Sequence, residues 1–204
     1  MNQEHIKKRR SAYWSAKKLT AMGVLVALHI VANRLLGIDL TPSLRLTISS
    51  SFIMLAGLWF GPVSGALVGG LADLVGCVLD GYAPYLLLTV SPVLMGLLAG
   101  LMGPVIRRSK NIFVYGAAIA LIGILTSVLY SSWSFSVLYG ASFWVYAAPR
   151  GLQTAISTVL NTLVVYSLYQ SPVTALVSDG EAWKSRRAGL AAAESADRKR
   201  GGRQ

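Results

Sequence analysis

Six apolar runs, separated by short polar or glycine-containing segments, follow one another along this chain. They cover residues 19–36, 47–60, 63–79, 86–106, 112–133 and 147–169, and the second run is unusually short. A transmembrane helix needs roughly 20 apolar residues to cross a bilayer core of about 30 Å. The alternation typical of a β-barrel strand is absent from these runs. The pattern therefore predicts an all-α membrane protein, built as a six-transmembrane-helix bundle.

The basic residues give this bundle an orientation. Of the nineteen lysines and arginines, sixteen fall in three clusters, at residues 7–18, 107–110 and 184–203. Six spans place all three clusters on one side of the membrane, and positively charged segments stay inside, so both termini are predicted to be cytoplasmic. We expect a basic cytoplasmic tail over residues 1–18, a six-helix membrane domain over 19–170, and a basic, disordered cytoplasmic tail over 171–204.

Composition agrees with a multi-pass protein of the cell membrane. The chain is 54% hydrophobic and only 13% charged, with a mean hydropathy of +0.56, which disfavours a soluble globule. The net charge of +11 does not indicate a nucleic-acid partner, because the cations flank apolar spans instead of alternating with aromatic residues. The first span lacks a small-x-small cleavage site, so we expect it to be retained.

Three arginines remain on the outer side, at Arg34, Arg45 and Arg150. A single arginine near a helix end often reaches for lipid headgroups. If packing brings the three together, they form an anion site, since guanidinium groups bind carboxylates and phosphates through paired hydrogen bonds. Asp39 and Asp80 fall in the outer loops, and either could pair with one of these arginines.

Asp73 and a group of aromatic residues extend this candidate site. Asp73 lies about 16 Å along the third span, near the bilayer midplane, where a carboxylate is either part of a site or a buried ion partner. The outer aromatic residues form an interfacial belt, or they offer stacking faces to a flat ligand. They are Tyr82, Tyr85, Trp133, Phe135, Tyr139, Phe143, Trp144 and Tyr146.

Small residues predict close helix packing, and several catalytic motifs are missing. Glycines recur every four residues from Gly57 to Gly69, and Gly23 with Ala27 forms a small-xxx-small pair on the first span. The sequence has no phosphate-binding loop, so ATP hydrolysis would need partner subunits. One cysteine and two histidines support neither a metal site nor a cofactor, and no nucleophile and base can be assembled on one side. We therefore do not expect an enzyme.

The segment from Arg45 to Gly76 carries a family resemblance. It contains Gly61-Pro62, the glycine repeat and Ala72-Asp73-Leu74, and it is followed by Thr89-Val90-Ser91. This pattern resembles the substrate-binding (S) components of energy-coupling factor (ECF) transporters, most closely the folate group. Where folate-type members tend to carry Ser-Phe-Gly-Phe-Leu-Pro after the arginine, this chain has residues 47–52, Thr-Ile-Ser-Ser-Ser-Phe.

The resemblance implies a six-helix protein that captures a vitamin, here folate or a related pterin, from outside the cell. It also implies a transmembrane coupling subunit and two cytoplasmic ATPase subunits as partners, with Gly23 and Ala27 as the docking residues on the first helix. The resemblance and the outer charges together suggest a set of substrate-binding residues. They are Arg34, Arg45, Asp73, Tyr85, Thr89, Trp133 and Arg150.

Three other functions stay open at this point. The departures in residues 47–52 allow the same architecture to serve another vitamin or a nucleobase-like precursor. A stand-alone secondary transporter would show inverted repeats and interrupted helices, and we find no convincing repeat. A membrane enzyme would need paired carboxylates or a nucleophile with its base on one face. Alanine at each outer arginine is expected to weaken substrate binding.

Overall fold

A computed structural model describes residues 16–41, 44–81, 85–108 and 111–177. Nearly all of the predicted N-terminal tail, the C-terminal tail from residue 178, and Tyr82 lie outside the described residues. The predicted domain boundaries are therefore not tested at either end of the chain.

The described chain folds mainly into helices whose bounds follow the predicted apolar runs. They are α1 (Ala16–Leu35), α2 (Ser50–Phe60), α3 (Pro62–Asp80), α4 (Leu86–Arg108), α5 (Ile112–Gly123), a π-helical segment (Ile124–Ser131), α6 (Ser132–Tyr139), α7 (Phe143–Gln170) and α8 (Val173–Val177). The α5 helix, the π-helical segment and α6 form one continuous run of 28 residues. In the described part of the chain, five helices are long and apolar enough to cross a membrane.

The second predicted span is shorter than a membrane crossing. Helix α2 has 11 residues, which corresponds to roughly 16 Å, about half of the bilayer core. An antiparallel hairpin of β1 (Ile38–Thr41) and β2 (Leu44–Leu46) precedes it, and this hairpin was not predicted. The fold is thus a helical membrane bundle with five full-length helices and one short apolar helix.

Glycines let α2, α3 and α4 approach one another closely, as the four-residue spacing predicts. A Cβ atom on Gly57 would lie 2.5 Å from the carbonyl oxygen of Gly96, closer than real Cβ atoms come. Gly65 and Gly69 meet the α4 backbone in the same way, at Gly96 and Pro92. The α2–α3 turn uses Gly61 with a φ angle of 91°, a conformation that side chains disfavour. The prediction of tight packing at this repeat is confirmed.

Two side-chain contacts hold the end of α2 that is remote from the hairpin. The buried Lys18 of α1 donates a hydrogen bond from Nζ to the carbonyl oxygen of Phe60 at 3.3 Å. The indole Nε1 of Trp59 donates to Thr174 Oγ1 of α8 at 3.2 Å. Large apolar side chains cover the outward faces of the long helices, as expected for contact with lipid.

Candidate functional site

A polar recess inside the bundle is the best candidate for a binding site. Its cavity volume is about 90 Å³, smaller than the roughly 300–1,000 Å³ that is usual for small-molecule sites. Its lining residues come from the start of α2 and from α4, α5, the π-helical segment and α7. They are Thr47, Ser50, Met54, Met95, Ile119, Gly123, Ser127, Arg150, Gln153, Thr154, Ser157, Thr158 and Asn161. We call this site the polar recess.

Helix α7 supplies the polar recess with a stripe of hydrogen-bonding side chains. The stripe comprises Arg150, Gln153, Thr154, Ser157, Thr158 and Asn161. These positions follow the spacing of three and four residues that places side chains on one helix face. Because the opposite face of α7 exposes apolar residues such as Leu152, Val159 and Leu163, the helix is polar on the inside and apolar on the outside. That distribution suits a span that faces lipid on one side and a polar ligand on the other.

Arg150 is the one charged side chain among the described residues that line this recess. Its guanidinium carbon lies 4.3 Å from the centroid of the Phe135 ring, a cation–π contact. Phe135 in turn stacks on Tyr139 and contacts Tyr146, with ring centroids 5.7 Å apart in each case. Part of the predicted outer aromatic group therefore supports Arg150.

The π-helical segment packs beside α7 and forms part of the recess wall through Ser127. The carbonyl oxygen of Thr126 accepts hydrogen bonds from Ser91 Oγ at 3.1 Å and from Ser131 Oγ at 3.0 Å, and the two hydroxyls lie 2.9 Å apart. These serines satisfy a carbonyl that the wider helical turn redirects, and π-helical turns recur at functional sites. Ser127, the next residue, lines the polar recess.

A buried hydrogen bond holds the inner part of the α7 stripe. Ser51 Oγ donates to Asn161 Oδ1 at 2.6 Å, and the two residues are 0% and 4% exposed. Because an amide oxygen has two lone pairs, Asn161 can still accept one further hydrogen bond at Oδ1 and donate two from its NH₂. The lining thus combines one cation with hydroxyl and amide groups.

A second recess lies between α1 and α3, and several predicted site residues line it. Its lining comprises His29, Ile30, Asn33, Arg34, Ala72, Asp73, Gly76, Cys77 and Asp80. Arg34 forms an ion pair with Asp80 at 2.6 Å, which confirms one of the two pairings that the sequence left open. Among the described residues, no group of three or more His, Cys, Asp or Glu side chains is arranged to hold a metal ion.

The predicted outer arginines do not share one recess. Arg150 lines the polar recess and Arg34 lines the second recess, so these two linings do not support a three-arginine cluster, which stays a prediction. Arg34, at the end of α1, pairs with Asp80 at the end of α3. The Arg45 side chain lies outside the described residues, while its backbone belongs to β2, is paired with Asp39, and packs beside α7.

The other predicted binding residues take separate positions. Thr89 is buried and donates from Oγ1 to the carbonyl oxygen of Tyr85 at 3.3 Å. Tyr85, at the start of α4, is 56% exposed, and Trp133 is 51% exposed and contacts Tyr130. None of these three is among the described residues that line the polar recess. Their binding roles stay predictions.

Gly23 and Ala27, the predicted docking residues, lie on an exposed face of α1. A Cβ atom on Gly23 would meet nothing within 4 Å in the described part of the chain. This face is therefore open to a partner or to lipid, and the docking role stays a prediction.

Sequence reasoning missed most of the polar recess. The missed hydrogen-bonding residues are Thr47, Ser50, Ser127, Gln153, Thr154, Ser157, Thr158 and Asn161. A usable signal was present, because the last apolar run carries polar residues at a helical period. The segment at residues 47–50 offered no such signal, since its side chains reach the recess from a turn.

A comparison with family models identifies one family. The family model described as "ECF-type riboflavin transporter, S component" matches residues 13–173. No curated protein matches the chain.

Solved structures share the fold at low sequence identity. A crystal structure of FolT bound with folic acid has a TM-score of 0.64 and 24% identity, over 76% of this chain and 93% of that one. The S component of a bacterial ECF transporter gives 0.58 and 22%, over 76% and 94%. The S component for biotin from an ECF-type ABC transporter gives 0.56 and 19%, over 84% and 95%.

Proposed function

The chain belongs to the family of ECF-type riboflavin transporter S components, and from this premise we propose that it binds folate or a related pterin with high affinity for ATP-driven import. Membership makes the chain a substrate-binding transporter subunit of the cell membrane and not an enzyme. S components bind a vitamin and pair with ECF transporter modules. The identity of the vitamin and the coupling to ATP hydrolysis are the parts that we propose.

The observation that carries the choice of ligand is the position of Arg150 in the polar recess. Arg150 lines a site whose other lining side chains are neutral, so it favours a ligand with a carboxylate. The glutamate part of folate supplies two carboxylates, and the pterin ring offers donors and acceptors to the α7 stripe. We propose Arg45 as a second carboxylate ligand, because β2 packs beside α7.

Riboflavin is the second candidate, because the matching family model carries its name. Eight neutral hydroxyl or amide side chains line the polar recess, and these groups suit a ligand with several hydroxyl and carbonyl groups but no carboxylate. The two vitamins therefore make different demands on Arg150.

Equilibrium binding to the purified chain in detergent separates the two ligands. We expect folic acid to bind tightly and Arg150→Gln to weaken that binding by roughly 10- to 150-fold, the equivalent of one charged hydrogen-bonding group at about 1.5–3 kcal/mol. Arg150→Lys, which keeps the charge but loses the fork, should restore part of the affinity. Riboflavin affinity should change little in both variants.

The result that would refute this assignment is tight riboflavin binding without folic acid binding. It would keep the family function and replace the ligand. Binding of neither vitamin by folded protein would direct the search to other vitamins or nucleobase-like precursors.

We further propose six membrane segments with both termini in the cytoplasm, α2 being the short second segment. Lys17 and Lys18 lie at the start of α1, at the end of the bundle where α7 finishes, which supports this orientation. The proposed partners are a transmembrane coupling subunit, which docks on Gly23 and Ala27, and two ATPase subunits. Uptake into vesicles that requires ATP and these subunits supports the proposal, whereas uptake by the chain alone on an ion gradient contradicts it.

A further inference from the structure

A histidine on α1 reaches the chain segment that borders the polar recess. His29 Nδ1 lies 2.9 Å from the carbonyl oxygen of Ser49. Because a carbonyl oxygen only accepts hydrogen bonds, Nδ1 carries the proton and donates it. The Ser49 carbonyl also accepts from the backbone N–H of Phe52 at 3.1 Å. One oxygen therefore links α1 to the first turn of α2.

Ser49 stands between two residues of the recess lining. Thr47 and Ser50 both line the polar recess, whereas Ser49 itself is buried. The backbone N–H of Ser49 donates to Thr47 Oγ1 at 3.0 Å. The position of Ser49 thus sets the orientation of the Thr47 hydroxyl, and a chain of two hydrogen bonds runs from the His29 ring through Ser49 to Thr47 at the recess.

No regular secondary structure holds this segment in place of these contacts. Residues 47–49 form a turn between β2 and α2, and the Ser49 side chain makes no capping hydrogen bond to α2. The Ser49 carbonyl already accepts one hydrogen bond, from the N–H of Phe52. The His29 ring gives this carbonyl a second donor, which comes from a helix distant in sequence.

We infer that His29 is a positioning residue for the polar recess: through the Ser49 carbonyl it holds Thr47 and Ser50 in the geometry that binds substrate. That the recess binds a transported substrate rests on the proposed function. The positioning of Thr47 and Ser50 by His29 rests on the contacts alone. It also links α1, whose opposite face is exposed at Gly23 and Ala27, to the recess. A displacement of α1 relative to α2 is then felt at the recess wall.

Three variants of the full chain in detergent test this inference. His29→Leu removes the donor while it keeps an apolar body of similar size. His29→Asn places an amide N–H close to the position of Nδ1 and should restore the bond. Lys18→Met is the matched control. It removes the hydrogen bond from α1 to the backbone carbonyl of Phe60, which lies at the end of α2 that is remote from the recess.

Two readouts separate positioning from simple stabilisation. The first is the affinity for folic acid and for riboflavin, and the second is hydrogen–deuterium exchange of the backbone amides of residues 48–54 without ligand. We expect His29→Leu to weaken binding of the ligand that the wild type binds by about tenfold and to accelerate exchange. His29→Asn should recover most of both losses, and Lys18→Met should lower thermal stability while affinity and exchange stay at wild-type values.

Each outcome bears on one of the two proposals. If His29→Leu matches Lys18→Met in both readouts, the positioning role is overturned. If the wild type binds neither vitamin, the proposed ligands fail, and exchange alone decides the role of His29. Faster exchange in His29→Leu that His29→Asn reverses then supports positioning, and unchanged exchange refutes it.

Discussion

The hydrogen bond between Ser51 and Asn161 offers a sharp test of how the bundle core is held. Ser51→Ala deletes the Oγ donor of a 2.6 Å bond and leaves Asn161 Oδ1 in a buried position, since Asn161 is only 4% exposed. An unsatisfied buried acceptor costs about 1–3 kcal/mol. For a chain of this length, each kcal/mol lowers the melting temperature by about 2–4 °C. We therefore expect a decrease of roughly 2–12 °C.

The matched control is Ser64→Ala in α3. Ser64 is fully buried like Ser51, but its Oγ has no hydrogen-bond partner in the described structure. Removing an unpaired buried hydroxyl should be neutral or stabilising. The same substitution at two fully buried serines should thus lower the melting temperature at Ser51 and leave it unchanged or raise it at Ser64.

The assay is thermal unfolding of both variants in the same detergent, followed by ligand affinity. Ser51→Ala also frees the Asn161 amide to rotate, so we expect ligand binding to weaken, whereas Ser64→Ala should leave it unchanged. Adding Asn161→Leu to Ser51→Ala should cost less than the sum of the single changes, because both partners are then apolar. Equal melting temperatures for Ser51→Ala and Ser64→Ala would refute the reasoning.

Three further predictions follow from contacts elsewhere in the bundle. In thermal unfolding, Gly65→Ala should destabilise the fold by about 1–3 kcal/mol, because the added Cβ meets the α4 backbone. Gly76→Ala should be neutral or stabilising, because its Cβ would meet nothing within 4 Å in the described structure. Arg34→Ala should reduce ligand affinity less than Arg150→Ala in equilibrium binding, because Arg34 lines the second recess; an equal loss contradicts the assignment of the two recesses. Trp59→Phe should lower the stability by about 0.5–1.5 kcal/mol, because it removes the hydrogen bond from the indole to α8. The ligand affinity of this variant should stay constant.

The polar recess shows which parts of a site a sequence can predict. Arg150 is predictable because an arginine beside an apolar run is conspicuous; it lines the recess, and its role as a polar anchor stays a prediction. The hydroxyl residues of α7 were overlooked, although their helical period was readable. Thr47 and Ser50 could not be placed, because the turn at residues 47–49 sets the position of Thr47 and of the start of α2, and local periodicity carries no information on where a turn points.

Sequence alone determined the helical membrane class, the family and the close packing at the glycine repeat. These properties depend on local quantities: apolar length, charge between the runs, and the absence of a side chain at a fixed spacing. Tertiary structure decided which charged groups meet. Arg34 pairs with Asp80, 46 positions away, and Arg150 rests on Phe135. Such contacts depend on how each helix is rotated about its axis and against its neighbours, and that rotation is set by packing of the whole bundle.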